Sequence, residues 1–180
     1  MKEKGYILIV SLAFLFLMTT LAMSMFGGLA MDETMSGNNR EKSRSIDAAQ
    51  TALNFAESWM ALPANTYTGN WVTGVNCVVP DTPPTAPVVC SNALANPSSQ
   101  SSVRSSGVSF TPANMSVSSA GGLSTYALAP AFYIQYLGSD DPYTAFYQVT
   151  ATSTGGSAAA AAVVQSVYQI HANSSNLGGG

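Results

Sequence analysis

The chain has 180 residues, which suits one globular domain with an additional segment, because single domains usually contain about 100–200 residues. Its net charge of -3 argues against nucleic acid as a partner, since nucleic-acid binding requires clustered Lys and Arg that meet phosphates. Only 8% of the residues are charged, against about 25% in an average soluble protein, so hydroxyl and amide side chains must supply most of the polar surface.

The first notable segment is an apolar run over residues 6–31 that contains no charged residue. A helix of about 20 apolar residues crosses a hydrocarbon core of about 30 Å, so this run is long enough to span a membrane. Lys2 and Lys4 precede the run, and Asp32 and Glu33 follow it. We therefore expect the basic end to remain in the cytoplasm and the acidic end to be exported.

Three kinds of protein share parts of this N-terminal pattern. A cleaved secretory signal has an apolar region of only about 7–15 residues, which is shorter than this run, whereas hydropathy alone also fits a plain signal anchor. The leader MKEKG is short and charged, ends in Gly5 and is followed directly by Tyr6 and the apolar run. That is the layout of a prepilin, whose peptidase cleaves at the cytoplasmic face and leaves the helix attached. We predict a leader at 1–5, cleaved between Gly5 and Tyr6, and a retained transmembrane or filament-core helix at 6–31.

A second helical pattern follows the membrane segment and belongs to the region 32–180, which we predict to be one periplasmic globular domain. The Ala-rich sequence has high helix propensity, and its apolar residues recur at steps of three or four, as on one face of an amphipathic helix. We expect this face to pack on a sheet; its residues are Ile46, Ala49, Leu53, Ala56 and Met60. Gly27-Gly28 and Ser36-Gly37-Asn38 mark either a break between two helices or a soft segment within one helix.

The last third of the chain has the pattern of a strand meander. We predict strands at 132–137, 145–154 and 159–170, separated by a Gly-Ser-Asp-Asp-Pro turn and by Gly155-Gly156. In the last strand the side chains with even numbers from 162 to 170 are expected to face the helix, while Gln165 and Gln169 face away. Residues 64–124 show no sustained period, and Asn92–Gly107 is expected to be a surface loop. The predicted fold is α+β, with the long N-terminal helix packed on a C-terminal antiparallel sheet.

Cys77 and Cys90 are the two cysteines, and they flank a Pro-rich stretch. In an exported domain they are expected to form a disulfide, and the alternative is two unrelated buried thiols. Their spacing and the lack of further ligands argue against a redox CxxC pair or a zinc site.

No residue pattern indicates an enzyme, a cofactor or a metal. His171 is the single histidine and has no acidic or sulfur-containing neighbour in sequence, so a solvated strand end is expected. Asp140-Asp141 offers oxygens that calcium would accept, but Asp and Pro are also ordinary turn residues, and a turn is the favoured interpretation. The sequence has no GxSxG motif, no paired carboxylates and no Walker-type glycine loop.

Two blocks of sequence resemble the PilX-type minor pilins of the type IV pilus system. TMSGNNREKSRSIDAAQTALNFAE, at Thr34–Glu57, is similar to their post-membrane helix, in which a Met-Ala-Gly-Asn run leads into an Ala-Ala-Glu helix. YIQYLG followed by YQVTATSTGGSAAAAAVVQSVY, ending at Tyr168, is similar to their C-terminal strands. The two blocks and the prepilin-like leader cover both ends of the chain and leave its middle unmatched.

The resemblance implies a life history. The prepilin peptidase would cleave after Gly5, and the amine of Tyr6 would be methylated. The subunit would pass from the inner membrane into a complex with other minor pilins that primes pilus growth and sits at the tip, often with a large adhesin. The major pilin is a further expected partner. Major pilins carry Glu at the fifth position after cleavage, where this chain has Val10. The alternatives are a pseudopilin of type II secretion, which shares the leader, helix and sheet, and a signal-anchored extracytoplasmic binding domain.

Overall fold

The computed structural model describes residues 4–77 and 83–172 and has the predicted α+β architecture. Helix α1 (Lys4–Met60) is continuous through Gly27-Gly28 and through Ser36-Gly37-Asn38, so neither glycine-containing segment breaks it. The chain forms two compact units that divide between Arg40 and Glu41, within this helix.

The first unit consists of the N-terminal part of α1. Every side chain from Tyr6 to Phe26 is exposed, and by length and composition α1 is the one helix among the described residues that could cross a membrane. The hydroxyls of Ser11, Thr19 and Thr20 each donate a hydrogen bond to the carbonyl three residues earlier, at 2.8 to 3.0 Å. These polar groups are therefore satisfied within the helix, as a hydrocarbon environment requires.

The second unit combines the C-terminal part of α1 with a five-stranded sheet. Strands β1, β3, β4 and β5 lie side by side in that order, and β2 also pairs with β3. The three long strands are antiparallel as predicted, whereas the two-residue β1 is parallel to β3, so the sheet is mixed. The elements after α1 are α2 (Pro63–Thr66), β1 (Val89–Cys90), α3 (Gln100–Ser106), β2 (Val108–Ser109), β3 (Ala131–Asp141), β4 (Thr144–Thr154) and β5 (Ala161–His171).

The first strand of the meander is longer than predicted. β3 continues to Asp141, and only Pro142-Tyr143 connects it to β4. The register shifts twice in this stretch, and Gly138 adopts a φ of 137°, which favours glycine. Bulges of this kind add a residue to one strand without ending the pairing, so the Gly-Ser-Asp-Asp sequence forms a strand end rather than a turn.

The prediction of a surface loop over Asn92–Gly107 is wrong for α3. This seven-residue helix is rich in Ser, which has low helix propensity, and it is too short to be stable alone. Val103 is fully buried and packs with Tyr133 of β3, so tertiary contact stabilises the helix. Of its two buried residues, Val103 and Ser106, only Val103 is apolar, and one apolar residue gives no periodic signal in the sequence.

The C-terminal part of α1 packs on one face of the sheet. Ala52 and Ala56 have no exposed surface and lie in one core cluster with Phe132 of β3 and with Tyr147 and Val149 of β4. The small side chains of the helix leave room for the large side chains of the sheet, which fill the space between the two layers. On the opposite face of the sheet, Tyr133 packs with α3 and with the cysteine-containing segment.

Candidate functional site

The predicted processing residues lie at the beginning of α1. Gly5 and Tyr6 are in the first turns of the helix, and the Tyr6 side chain is exposed. Lys2, which belongs to the predicted leader, lies outside the described residues. Cleavage between Gly5 and Tyr6 stays a prediction.

Downstream of Tyr6, the first unit presents an uninterrupted apolar surface. Large aliphatic and aromatic side chains are exposed all round this part of α1, and Val10 is 46% exposed. No Asp, Glu, Lys or Arg interrupts the segment from Tyr6 to Met31. An apolar surface of this extent requires cover by lipid or by other apolar protein surfaces.

Within the second unit, the five residues of the predicted packing stripe fall into two groups. Ala49, Ala56 and Met60 are buried, while Ile46 and Leu53 are half-buried at the margin of the helix face. Each of the five therefore has part or all of its side chain covered within this unit.

Sequence reasoning missed two residues that are central to this contact. Ala52 is fully buried, and its position three residues after Ala49 and four before Ala56 is a signal that could have identified it. The Phe55 ring stacks on Phe110 at 4.2 Å between centroids. Phe110 belongs to the aperiodic middle of the chain, so nothing in the sequence indicated that partner.

The second unit begins with an electrostatic latch formed by Glu41 and Arg44. The two side chains form an ion pair at 2.8 Å, and each also binds a loop. Arg44 Nη2 donates to the carbonyl of Thr125 at 2.8 Å, and its guanidinium lies over the Tyr126 ring at 4.8 Å. Glu41 Oε2 accepts a hydrogen bond from the Gly156 N–H. The guanidinium is planar and carries several donors, so one residue can hold the carboxylate, the carbonyl and the ring together.

Glycines allow the two latch loops to approach each other. Gly122 N–H donates to the carbonyl of Gly156 at 3.0 Å. A Cβ on Gly121 would lie 2.0 Å from the carbonyl oxygen of Gly156, and a Cβ on Gly156 would lie 2.1 Å from that of Gly122. Side chains at these positions would force the loops apart and remove the bond to Glu41.

Cys77 and Cys90 are joined by a disulfide in the structure, with their Cα atoms 5.5 Å apart. The bond lies in a small apolar cluster with Tyr133, whose hydroxyl donates to the carbonyl of Asn92 at 2.6 Å. Asn92 Oδ1 in turn accepts from the Cys77 N–H at 2.9 Å. The disulfide, Asn92 and Tyr133 thus attach the aperiodic middle of the chain to β3.

Two buried tyrosines have shifted pKa values. Burial raises the pKa of Tyr133 to about 12. Burial, and to a lesser degree Tyr136, raises the pKa of Tyr147 to about 12 as well. The Tyr147 hydroxyl donates to the carbonyls of Thr66 and Val72, both at 3.2 Å, and so attaches the segment after α1 to the centre of the sheet.

Burial also affects the one basic residue after Arg44. The pKa of the Arg104 guanidinium on α3 is lowered by burial. Arg104 Nε and Nη2 and the Gln100 side-chain nitrogen are buried, and no hydrogen-bond partner for them exists among the described residues.

Asp141 lies at the end of β3, beside the connection to β4. Asp141 accepts hydrogen bonds from the Tyr143 N–H at 2.6 Å and from the Thr144 hydroxyl at 3.0 Å. The same hydroxyl lies 3.1 Å from His171 Nδ1. The histidine is the last residue of β5, as expected. Over residues 4–77 and 83–172 no three His, Cys, Asp or Glu side chains converge as metal ligands would. The hydrogen bonds of Asp141 thus stabilise the Pro142-Tyr143 connection at the end of β3.

Comparison with known proteins identifies the family. The model for the C-terminal region of type IV pilus assembly protein PilX matches residues 45–170, which is more than half of the chain. No curated protein and no solved structure matches the chain. The matched region begins one residue after Arg44 and ends one residue before the last residue of β5. The chain belongs to the PilX family of type IV pilus assembly proteins, the minor pilins to which its helix and strand blocks were similar.

Proposed function

We propose that this minor pilin acts in the complex that initiates a type IV pilus and remains at its tip, where it supports pilus assembly and adhesion. Family membership makes the chain a component of the pilus with other pilins as partners. The observation that carries the finer role is the lack of any carboxylate between Tyr6 and Met31.

The physical reason concerns the amine of the mature N-terminus. Cleavage after Gly5 would leave a positive charge on Tyr6 next to the apolar run, and an isolated charge in such surroundings costs several kcal/mol. A shaft subunit is surrounded by copies of itself, so a chain with Val10 in place of Glu would leave this amine unpaired in every copy. The chain fits better as a scarce subunit whose partners, including other minor pilins and the major pilin, supply the carboxylate.

The same proposal implies an orientation of the chain in the inner membrane. Lys2 and Lys4 would hold residues 1–5 at the cytoplasmic face for the prepilin peptidase, residues 6–31 would span the inner membrane, and the domain would fold in the periplasm. A disulfide between Cys77 and Cys90 is compatible with that oxidising compartment. A large adhesin at the tip is the expected partner on the outer side.

N-terminal sequencing of the mature protein from its native host tests the processing step. The expected first residue is Tyr6, because the basic leader keeps the Gly5–Tyr6 bond on the cytoplasmic side. A first residue of Met25, Met31 or Asp32 would instead indicate ordinary secretion and would contradict the pilin life history.

Quantification of the protein in sheared pili tests the role at the tip. We expect deletion of the gene to reduce surface pili sharply, while the protein itself is a trace component of the filament. Val10→Glu should have little effect on pilus number, because priming does not depend on packing against copies of the same chain. If the protein forms the bulk of the filament, the tip proposal is wrong.

A further inference from the structure

The free edge of β5 has a hydrogen-bonding pattern that two backbone bonds define. Gly155 N–H donates to the carbonyl of Ala160 at 2.8 Å, and Ala172 N–H donates to the carbonyl of Tyr143 at 2.7 Å. Both bonds join residues one step beyond the ends of the β4–β5 register, which runs without a shift. Bonded and non-bonded pairs alternate in an antiparallel ladder. Even-numbered residues of β5 therefore bond to β4, and odd-numbered residues point their N–H and C=O groups away from the sheet.

One of these outward-pointing backbone groups has a hydrogen-bond partner among the described residues. The carbonyl of Ala161 accepts a hydrogen bond from Lys42 Nζ at 2.6 Å. From Val163 to His171, no backbone hydrogen bond to another described residue covers the outward groups. The opposite edge of the sheet differs, since β1 and β2 both pair with β3 there.

β5 also lacks the features that usually protect an edge strand. Charged side chains, proline or bulges usually prevent such edges from pairing with another chain. The sequence from Ala161 to Ile170 contains no charged residue and no proline, and the pairing with β4 contains no bulge. β5 is an 11-residue strand, and its outer edge has no strand partner among the described residues.

We propose that the edge of β5 from Val163 to His171 binds an extended segment of another pilus subunit, which adds to the sheet as a further strand. Donors and acceptors that repeat every second residue, about 7 Å apart, match the backbone of an extended polypeptide. The assignment of the partner to the pilus rests on the proposed function.

The side chains beside the edge define the chemistry of this segment. On the helix-covered face Val164, Tyr168 and Ile170 are only half-buried at the margin of the core. Apolar side chains at alternate positions of an added strand would complete their burial. On the other face Gln165 and Val167 are exposed and uncharged, so charged groups of a partner would find no counter-ion there. The segment should be uncharged and should alternate apolar with small or polar residues.

Geometry argues against a second copy of this chain as the partner. Two β5 strands paired antiparallel would be related by a two-fold axis perpendicular to the sheet. That rotation reverses the direction of the α1 segment that lies on the sheet in the second copy. Under the proposed function all subunits enter one filament in the same orientation, and two copies with reversed α1 segments do not meet that condition. The added strand should therefore come from a different subunit.

Site-specific photocrosslinking in the native host tests the proposal. The full-length chain carries p-benzoylphenylalanine in place of Gln165, and the covalent adduct is digested and identified by mass spectrometry. We expect the adduct peptide to come from another type IV pilus subunit and to be an uncharged, alternating segment. No adduct, an adduct with a second copy, or an adduct with a charged segment would overturn the proposal.

Two substitutions make the test specific for the edge. Val167→Lys adds a charge beside the outward-pointing backbone and should reduce the adduct at least tenfold. Leu123→Lys adds the same charge at a similarly exposed apolar residue of a loop, and should change the adduct less than twofold. An equal adduct with both variants contradicts edge pairing. Unchanged urea midpoints show that both variants fold.

The outcome is separable from the outcome for the proposed function. If deletion of the gene abolishes pili but no adduct forms, the tip role stands and the edge inference fails. If the adduct forms with a pilus subunit but deletion leaves pilus number unchanged, the edge inference stands and the priming role fails.

Discussion

The two parts of α1 use side-chain size in opposite ways. In the first unit, Phe14 and Leu15 are among many large side chains that are more than half exposed. In the second unit, Ala49, Ala52 and Ala56 have no exposed surface. Lipid or the flexible surface of an assembly can accommodate any side-chain shape, whereas a sheet at a fixed distance selects small residues. The same secondary structure therefore serves two environments, and side-chain size indicates which one each part occupies.

A charge introduced into the buried part of α1 should have the largest effect on stability. We expect Ala56→Asp to destabilise the domain by several kcal/mol, because the carboxylate would enter the core without a partner. Asn54→Asp, on the exposed side of the same helix, is the matched control and should leave the urea midpoint unchanged. Equal midpoints for Ala56→Asp and Asn54→Asp would show that the helix does not pack on the sheet.

The same charge in the first unit should act on the membrane and not on the fold. Phe14→Asp is expected to cost about 3 kcal/mol in membrane insertion, since that is the scale for a charged residue at the centre of a spanning helix. Carbonate extraction should show more unanchored protein, while the domain should keep the urea midpoint of the parent. Full membrane retention of the variant would argue that this segment is not a spanning helix.

Loss of the disulfide should have the next largest effect. The double variant Cys77→Ser/Cys90→Ser removes a cross-link between residues that are 13 apart, and loop-entropy estimates give about 3 kcal/mol for loops of this size. The loop is rich in proline, which already restricts the unfolded chain, so the measured loss should not exceed that value. Mass spectrometry of exported parent protein should show the loss of two hydrogens. Two alkylatable thiols in that material would contradict the disulfide.

The latch provides a smaller test within the second unit. Arg44→Lys keeps the charge beside Glu41 but loses the planar donors that reach Thr125, so we expect a loss of about 1–2 kcal/mol in unfolding free energy. Arg40→Lys, which lies just before the domain, is the control and should be neutral. A neutral result for Arg44→Lys would show that the latch geometry adds nothing beyond its charge.

High pH should destabilise the domain through its two buried tyrosines. Tyr133 and Tyr147 have folded-state pKa values of about 12, above the unfolded value of about 10. The unfolded chain therefore loses protons first, and the stabilisation is complete below pH 10 and is lost as the pH rises toward 12. Urea midpoints should fall over this interval, and Tyr147→Phe should flatten the fall. A slope unchanged by Tyr147→Phe would assign the pH dependence to other groups.

The sequence predicted elements whose residues repeat with a clear period. The helix stripe that contains Ala49 and Ala56 could be predicted because residues three or four apart lie on one face of a helix. The alternation along β5 could be predicted because every second residue of a strand lies on one face. The bulges that prolong β3 to Asp141 were not readable, since Gly, Ser and Asp are common in turns and in bulges alike. α3 and the stacking of Phe110 on Phe55 depend on contacts between distant segments. Such contacts leave no local pattern.

The position of the latch has a mechanical consequence. Under the proposed role at the pilus tip the subunit would carry tension, and the first residues of the domain unit would be among those that bear it. Within the first turn of this unit, Glu41, Lys42 and Arg44 bind three separate stretches of the chain. A pull along the helix axis loads these bonds together in shear, so they must fail as a group before the helix can slide along the sheet. The disulfide lies elsewhere in the domain and leaves this load path unchanged under reducing conditions. In single-molecule pulling, Arg44→Lys should lower the first rupture force, whereas reduction of the Cys77–Cys90 bond should lengthen the extension that follows it.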